Sequence, residues 1–175
     1  VLITSGMGHV RFWRMASTFT GLKLQGEIGK FGAVELSDVC AYVRLPGGKV
    51  LSGTEGGRML LWDGNLIEFE ISRPGGQPCH AGNIEVLRLE AGVVMSAGHD
   101  GVVRTWDVSL IEAAEVNEDE PIFEIDPLSE QVVGDGEAST MIINMVPALG
   151  MEGPTTVDVD GVEKAAAVTA WFVQD

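Results

Sequence analysis

Basic residues are scarce in this sequence. Eleven Lys and Arg stand against 26 Asp and Glu, a formal net charge of −15 over 175 residues. A protein that grips nucleic acid or an anionic membrane surface needs a basic face, so neither is an expected partner; a basic partner, or solubility alone, fits the charge better. Cysteine is nearly absent. Cys40 and Cys79 are too few for a disulfide framework, and buried thiols in a reducing compartment are the expectation. Long apolar runs are missing as well. The best candidate, "MIINMVPALGM" (141–151), is broken by Asn144 and Pro147 and falls short of the roughly 18 residues a membrane helix needs. Sustained helical periodicity is also lacking. In "EKAAAVTAWF" (163–172) alanine propensity competes with the phase of the surrounding repeat, and the stretch is read as a strand.

Glycine, by contrast, is abundant at 23 residues, and it marks an internal repeat. The phrases "VLITSGMGHVRFW" (1–13), "VLSGTEGGRMLLWD" (50–63) and "VVMSAGHDGVVRTWD" (93–107) share one plan: an apolar strand, a Ser/Gly patch, a glycine turn, and a strand ending in tryptophan. Trp13, Trp62 and Trp106 are spaced by 49 and 44 residues. Gly8, Gly57 and Gly101 each lie five positions before a tryptophan, and Ser52 and Ser96 lie ten before theirs. Ser5 is out of phase because the first copy is shorter. Between these landmarks the pieces look like short strands. "LIEFEIS" (66–72) alternates, which predicts Ile67, Phe69 and Ile71 on one face and Glu68 and Glu70 on the other. "GVVRTW" carries β-branched residues on both faces, as a strand covered on both sides does. Asp63-Gly64 and Asp100-Gly101 predict hairpin turns; Pro46-Gly47-Gly48 and Pro74-Gly75-Gly76 predict others.

This repeat resembles WD40, with four strands per blade, a period of about 40–45 residues and a Trp-Asp near the end of the third strand. The phrases "ITSGMGHVRFWRMASTFTGLKLQGEIGKFG", "VLSGTEGGRMLLWDGNLIEFEI", "GGQPCHAGNIEVL" and "WFVQD" resemble a subfamily of large axonemal WD-repeat proteins of cilia and flagella. The resemblance implies an all-β fold, part of a WD40 β-propeller, with about four incomplete blade equivalents of a larger ring. The segments are about 1–30 (second to fourth strands only), 38–73, 81–133 and 138–175 (first two strands only), with 151–166 as a surface insertion. The opening "VLITSG" reads as mid-strand, and the expectation is a segment of a longer protein that supplies the rest of the ring.

A serine, a histidine and an aspartate near one another raise the question of a hydrolase. In the fullest WD40 blades a histidine between blades, a second-strand serine, a turn aspartate and the third-strand tryptophan form one hydrogen-bonded network. The resemblance carries these roles to His80, Ser96, Asp100 and Trp106. His99, at the turn, is not the matched histidine and is expected to be exposed. A hydrolase serine sits on a strained G-x-S-x-G elbow beside oxyanion donors; Ser96 sits in "VMSAG", inside a strand, so the structural role is expected. The Trp62 copy keeps Ser52 but has Gly56 and Leu36 where the aspartate and histidine would be, with Asp38 or Glu55 as substitutes. The Trp13 copy is expected to lack the network.

Other patterns are weaker. "GDGEAST" (134–140) matches neither a dinucleotide fingerprint nor a Walker loop and reads as a turn. "DVDG" (158–161) lacks a calcium ladder. Cys79-His80 has no C-x-x-C pair to complete a zinc site, so no metal or cofactor is expected. The acidic stretch 112–121 carries Glu112, Glu115, Glu118, Asp119 and Glu120. It reads as a solvated loop or, more sharply, as a docking surface for a basic partner.

The function implied is a binding scaffold rather than an enzyme. The resemblance further implies an axonemal tether. With a sister WD-repeat protein it would link the motor domain of an inner-arm dynein heavy chain to the doublet microtubule and restrain its movement. A scaffold of another assembly, such as intraflagellar transport or chromatin, is the first alternative, and a propeller enzyme the second.

Overall fold

The computed structural model describes residues 2–117, 119–134, 140–147 and 171–174. Among these the regular structure is almost entirely strand, arranged in four sets met in chain order. The first set is β1 (Leu2–Gly6), β2 (His9–Thr18) and β3 (Gly21–Ile28). The second runs through β4 (Val39–Arg44), β5 (Val50–Thr54), β6 (Met59–Asp63) and β7 (Leu66–Ser72). The third begins with β8 (Ile84–Glu90), β9 (Val93–Gly98) and β10 (Val102–Asp107). A short helix α1 (Val108–Glu112) and the strand β11 (Ile122–Glu124) follow, before β12 (Ser129–Val132) completes that sheet. The pair β13 (Asn144–Pro147) and β14 (Trp171–Gln174) forms the fourth set. The surface insertion expected at 151–166, the "DVDG" turn and most of "EKAAAVTAWF" and "GDGEAST" lie outside the described residues.

The sheets bury their faces against one another. β5 is buried at every position, as a central strand with neighbours on both sides must be. Its alternate residues serve different partners. Val50 joins Val10 and Phe12 of the first sheet, with Leu60, Trp62 and Ile67. Leu51 joins Met59, Leu61, Phe69 and Ile71 against Ile84, Leu87, Val94 and Trp106 of the third sheet. On that sheet's far side Val86, Ala97 and Val103 pack on Ile142 and Met145. Trp62 and Trp106 each point toward the sheet before their own in the chain and are fully buried. Trp13 faces the uncovered side and is only half-buried.

The alternation of 66–72 does not place its three apolar residues together. Trp62 pairs with Ile67 and Leu61 with Phe69, so the register shifts at Glu68. A β-bulge inserts one residue and reverses which face the following side chains meet. Ile67 therefore packs beside Trp62, while Phe69 and Ile71 pack on the third sheet. Glu68, the extra residue, pairs with Lys49 at 2.5 Å.

A second difference is β11. It leaves the loop between the third and fourth strands of the third sheet and pairs parallel with β7, making the second sheet five-stranded. Glu70 N donates to Pro121 O at 2.8 Å and Phe123 packs edge-on to Phe69. Three residues without an alternating run of their own gave no strand pattern to read. Pairing with an existing edge stabilises them.

Candidate functional site

The third sheet holds the four residues singled out above, each fixed by a different element. Ser96 is central in β9 and Trp106 lies in β10. Asp100 occupies the turn between them, and His80 lies in the connection from β7 to β8. That connection is pinned from the second sheet, where His80 N donates to Gly57 O at 2.9 Å. The approach is close enough that a Cβ at Gly57 would lie 1.9 Å from His80 O, and Gly57 has φ +76°. Both facts require glycine. Gly8 and Gly101, at the matching repeat positions, also have positive φ.

The indole N–H of Trp106 donates to Ser96 Oγ at 2.7 Å. Ser96 Oγ lies 2.6 Å from His80 Nε2, and His80 Nδ1 lies 2.9 Å from Asp100 Oδ1. A carboxylate at Nδ1 calls for the proton on that nitrogen, which leaves Nε2 to accept the serine hydroxyl proton. One unbroken series of donors then runs from indole to carboxylate. Asp100 takes further donors from Ala81 N and Val102 N, each at 3.2 Å, and from Arg104 at 2.7 Å. Burial raises its carboxyl, but the hydrogen bond from His80, the Arg104 guanidinium and the Ala81 N–H outweigh that and hold it well below the usual carboxylate range.

Arg104 is the residue the motif did not supply. It is buried and forks between Asp100 and Glu130, whose Oε2 it meets at 3.0 Å and 3.1 Å. Glu130 also meets Arg73 of the second sheet at 3.1 Å. The available cue was an arginine in the middle of an otherwise apolar buried strand, four residues after an aspartate, because such a charge needs a partner.

This arrangement satisfies polar groups inside a sheet, and its serine and histidine are closed to solvent. Ser96 is 0% exposed and His80 1%. The serine's oxygen already accepts the indole proton, and no elbow lifts it from its strand. Cys79, beside His80, points its thiol at Ile71 O (3.4 Å), and burial pushes its pKa up to about 12. No group of three His, Cys, Asp or Glu among the described residues is arranged to hold a metal ion. His99 is half-buried rather than exposed, because its Nε2 meets Glu85 at 2.9 Å.

The other copies keep the first link only. Trp62 Nε1 donates to Ser52 Oγ at 2.8 Å. Neither Asp38 nor Glu55 reaches that serine: Asp38 Oδ1 accepts from Gly8 N of the first sheet, and Glu55 accepts from Asp38 N. The first copy is not bare, since Trp13 Nε1 donates to Thr4 Oγ1 at 2.9 Å. A register one residue shorter substitutes threonine for the expected serine.

The acidic stretch is more engaged than a solvated loop. Asp107, the aspartate of the Trp-Asp pair, caps α1 through Ser109 N and Leu110 N. Glu112 turns back to accept from Gly47 N at 2.8 Å. Glu115, Asp119 and Glu120 are exposed, and Glu118 lies outside the described residues.

These features are those of WD-repeat blades, and the relatives agree. No protein-family model matches the chain. Cilia- and flagella-associated protein 44 of Chlamydomonas reinhardtii is 60% identical over 144 residues, 81% of this chain and 8% of that protein. Its Mus musculus counterpart is 52% identical over 129 residues, 74% of this chain and 7% of that protein. The chain is a WD-repeat propeller segment similar to cilia- and flagella-associated protein 44. Echinoderm microtubule-associated protein-like 2 of Mus musculus is 33% identical over 126 residues, 68% of the chain and 18% of that protein. The WD-repeat segment thus spans less than a fifth of the length of each of these curated relatives.

Proposed function

We propose that this WD-repeat segment is a non-catalytic scaffold of the ciliary and flagellar axoneme. The observation that carries the reading is the 52–60% identity to proteins named for cilia and flagella across 74–81% of the chain. The burial of the Ser96–His80–Asp100 group supports the non-catalytic part, because a nucleophile without an approach path does no chemistry. In this reading the four strand sets are consecutive blade equivalents of a larger ring. The stiff, interlocked sheets serve as a platform, and function lies on its loops.

The finer form is a tether. The protein works with a sister WD-repeat protein, links the motor domain of an inner-arm dynein heavy chain to the doublet microtubule, and restrains that motor during the beat. The likeness to a protein named as microtubule-associated supports a place beside a microtubule. The exposed acids Glu115, Asp119 and Glu120 then steer a basic surface of the sister protein or the motor rather than acidic tubulin, since like charges repel.

The test is proximity cross-linking of the full-length protein in intact axonemes. Cross-links to a dynein motor domain and to a second WD-repeat protein are expected. Recovery with intraflagellar transport particles, or absence from demembranated axonemes, would overturn the reading.

A further inference from the structure

The residues that close the joint between the first two sheets leave a cleft of about 470 Å³ on the second. Three loop stretches line it, the connection 33–37 ahead of β4, the turn 54–58 between β5 and β6, and 119–122 leading into β11, together with Leu60 of β6 and Glu70 of β7. One wall of the cleft is therefore in place because β11 adds to β7. Its apolar surface comes from Val34, Leu36, Leu60 and Ile122. Leu60 is buried, but Leu36 and Ile122 are 60% and 42% exposed, so hydrocarbon remains open to a visitor.

Carboxylates surround that hydrocarbon. Glu35, Glu55, Glu70, Asp119 and Glu120 line the cleft, against one cation, Arg58. Arg58 is already engaged, with Glu70 Oε1 at 2.9 Å and Gly76 O at 2.9 Å. The other four carboxylates take part in no ion pair among the described residues. The local imbalance is felt inside: burial pushes the Glu70 carboxyl up, Arg58 opposes this, and Glu35 adds to the rise.

An apolar wall beside unpaired carboxylates complements a side chain with a long hydrocarbon stem and a cationic head. A planar guanidinium, with its donors in a fixed fork, also suits two carboxylates better than an ammonium does. We propose that this cleft receives an arginine side chain from a basic segment of a partner protein, its stem against Leu36 and Ile122 and its head among Glu35, Asp119 and Glu120. The assignment rests on the scaffold reading, and it names the chemistry of what the scaffold takes.

The full-length protein is titrated by calorimetry with a short neutral peptide carrying one arginine, and with the same peptide carrying citrulline or lysine. Arginine is expected to bind, more weakly at high salt, with lysine weaker and citrulline silent. The triple variant Glu35→Gln, Asp119→Asn, Glu120→Gln removes only exposed carboxylates and is expected to unfold at the same temperature while losing about tenfold or more in affinity. The single reversal Glu120→Lys gives a second reading if the triple variant folds poorly. Equal heats from arginine and citrulline peptides, or affinity unchanged in both variants, would overturn the assignment. Because the assay uses purified protein, axonemal placement can fail without affecting it, and the reverse holds too.

Discussion

Trp62 and Trp106 occupy matching strands of adjacent blades, are equally buried, and donate to a serine ten residues earlier at 2.8 Å and 2.7 Å. Beyond the serine the two blades part. The third sheet continues through His80, Asp100 and Arg104 to Glu130. The second stops at the hydroxyl. Trp62 is instead ringed by Phe12 and Phe31 at 5.2 Å and 5.4 Å, while no aromatic partner of Trp106 occurs among the described residues. The same strand order is thus held in one blade by a polar relay and in its neighbour by aromatic packing. The difference shows that the relay is one means of fixing a blade rather than the definition of one.

The largest effect should follow from breaking the relay at its charged end. Asp100→Ala leaves the buried Arg104 with Glu130 alone and His80 Nδ1–H without an acceptor. It is expected to cost about 3–5 kcal/mol in chemical denaturation of the full-length protein. The equivalent position in the second blade is already Gly56, so Gly56→Ala should cost far less. Next are the two serines. Ser96→Ala strips a partner from both Trp106 and His80 and is expected to cost about 2–3 kcal/mol. Ser52→Ala orphans only the Trp62 indole and should cost about 1 kcal/mol. Equal losses would mean that the relay adds nothing past its first link.

Acid should separate the blades further. The Asp100 carboxyl titrates below its ordinary 3.8 in the folded protein. Its contribution is complete above that value and is lost as pH falls from there toward the depressed folded pKa. Denaturation midpoints measured down through that window should fall, and Asp100→Asn should flatten that part of the profile. The smallest effect concerns the tight turns. The second blade joins its first two strands through residues 45–49, with Gly48 at φ +93°, whereas the third joins the corresponding strands through Ala91-Gly92, with Ala91 at φ +48°. Asn tolerates that conformation better than Ala, so Ala91→Asn is expected to stabilise by about 0.5 kcal/mol, read as a raised thermal midpoint.

Much of the fold could be read from short-range pattern. The strand–glycine–strand–tryptophan repeat, the turn pairs and the all-β class depend on neighbours in the chain, and the Ser96, Asp100 and Trp106 spacing depends on the fixed geometry of a hairpin. Three features could not be read this way. The bulge at Glu68 reverses a clean alternation because Ile67 is drawn to Trp62 and the following residues to the third sheet. Thr4 takes the serine's role because the first hairpin is one residue shorter. Arg104 enters the relay because Glu130, 26 residues later, returns on β12 beside it.

By itself, then, the sequence determined the strands, their turns and the polar groups that needed partners inside a blade. Those are set by backbone conformation and by side-chain chemistry within about 20 residues. Tertiary structure alone decided which sheets Trp62 and Trp106 face, that β11 leaves its own sheet to extend another, and that five carboxylates from four stretches line one cleft. Each depends on which distant segments pack together, and that is settled by burial and edge pairing across the fold rather than by any local run of residues.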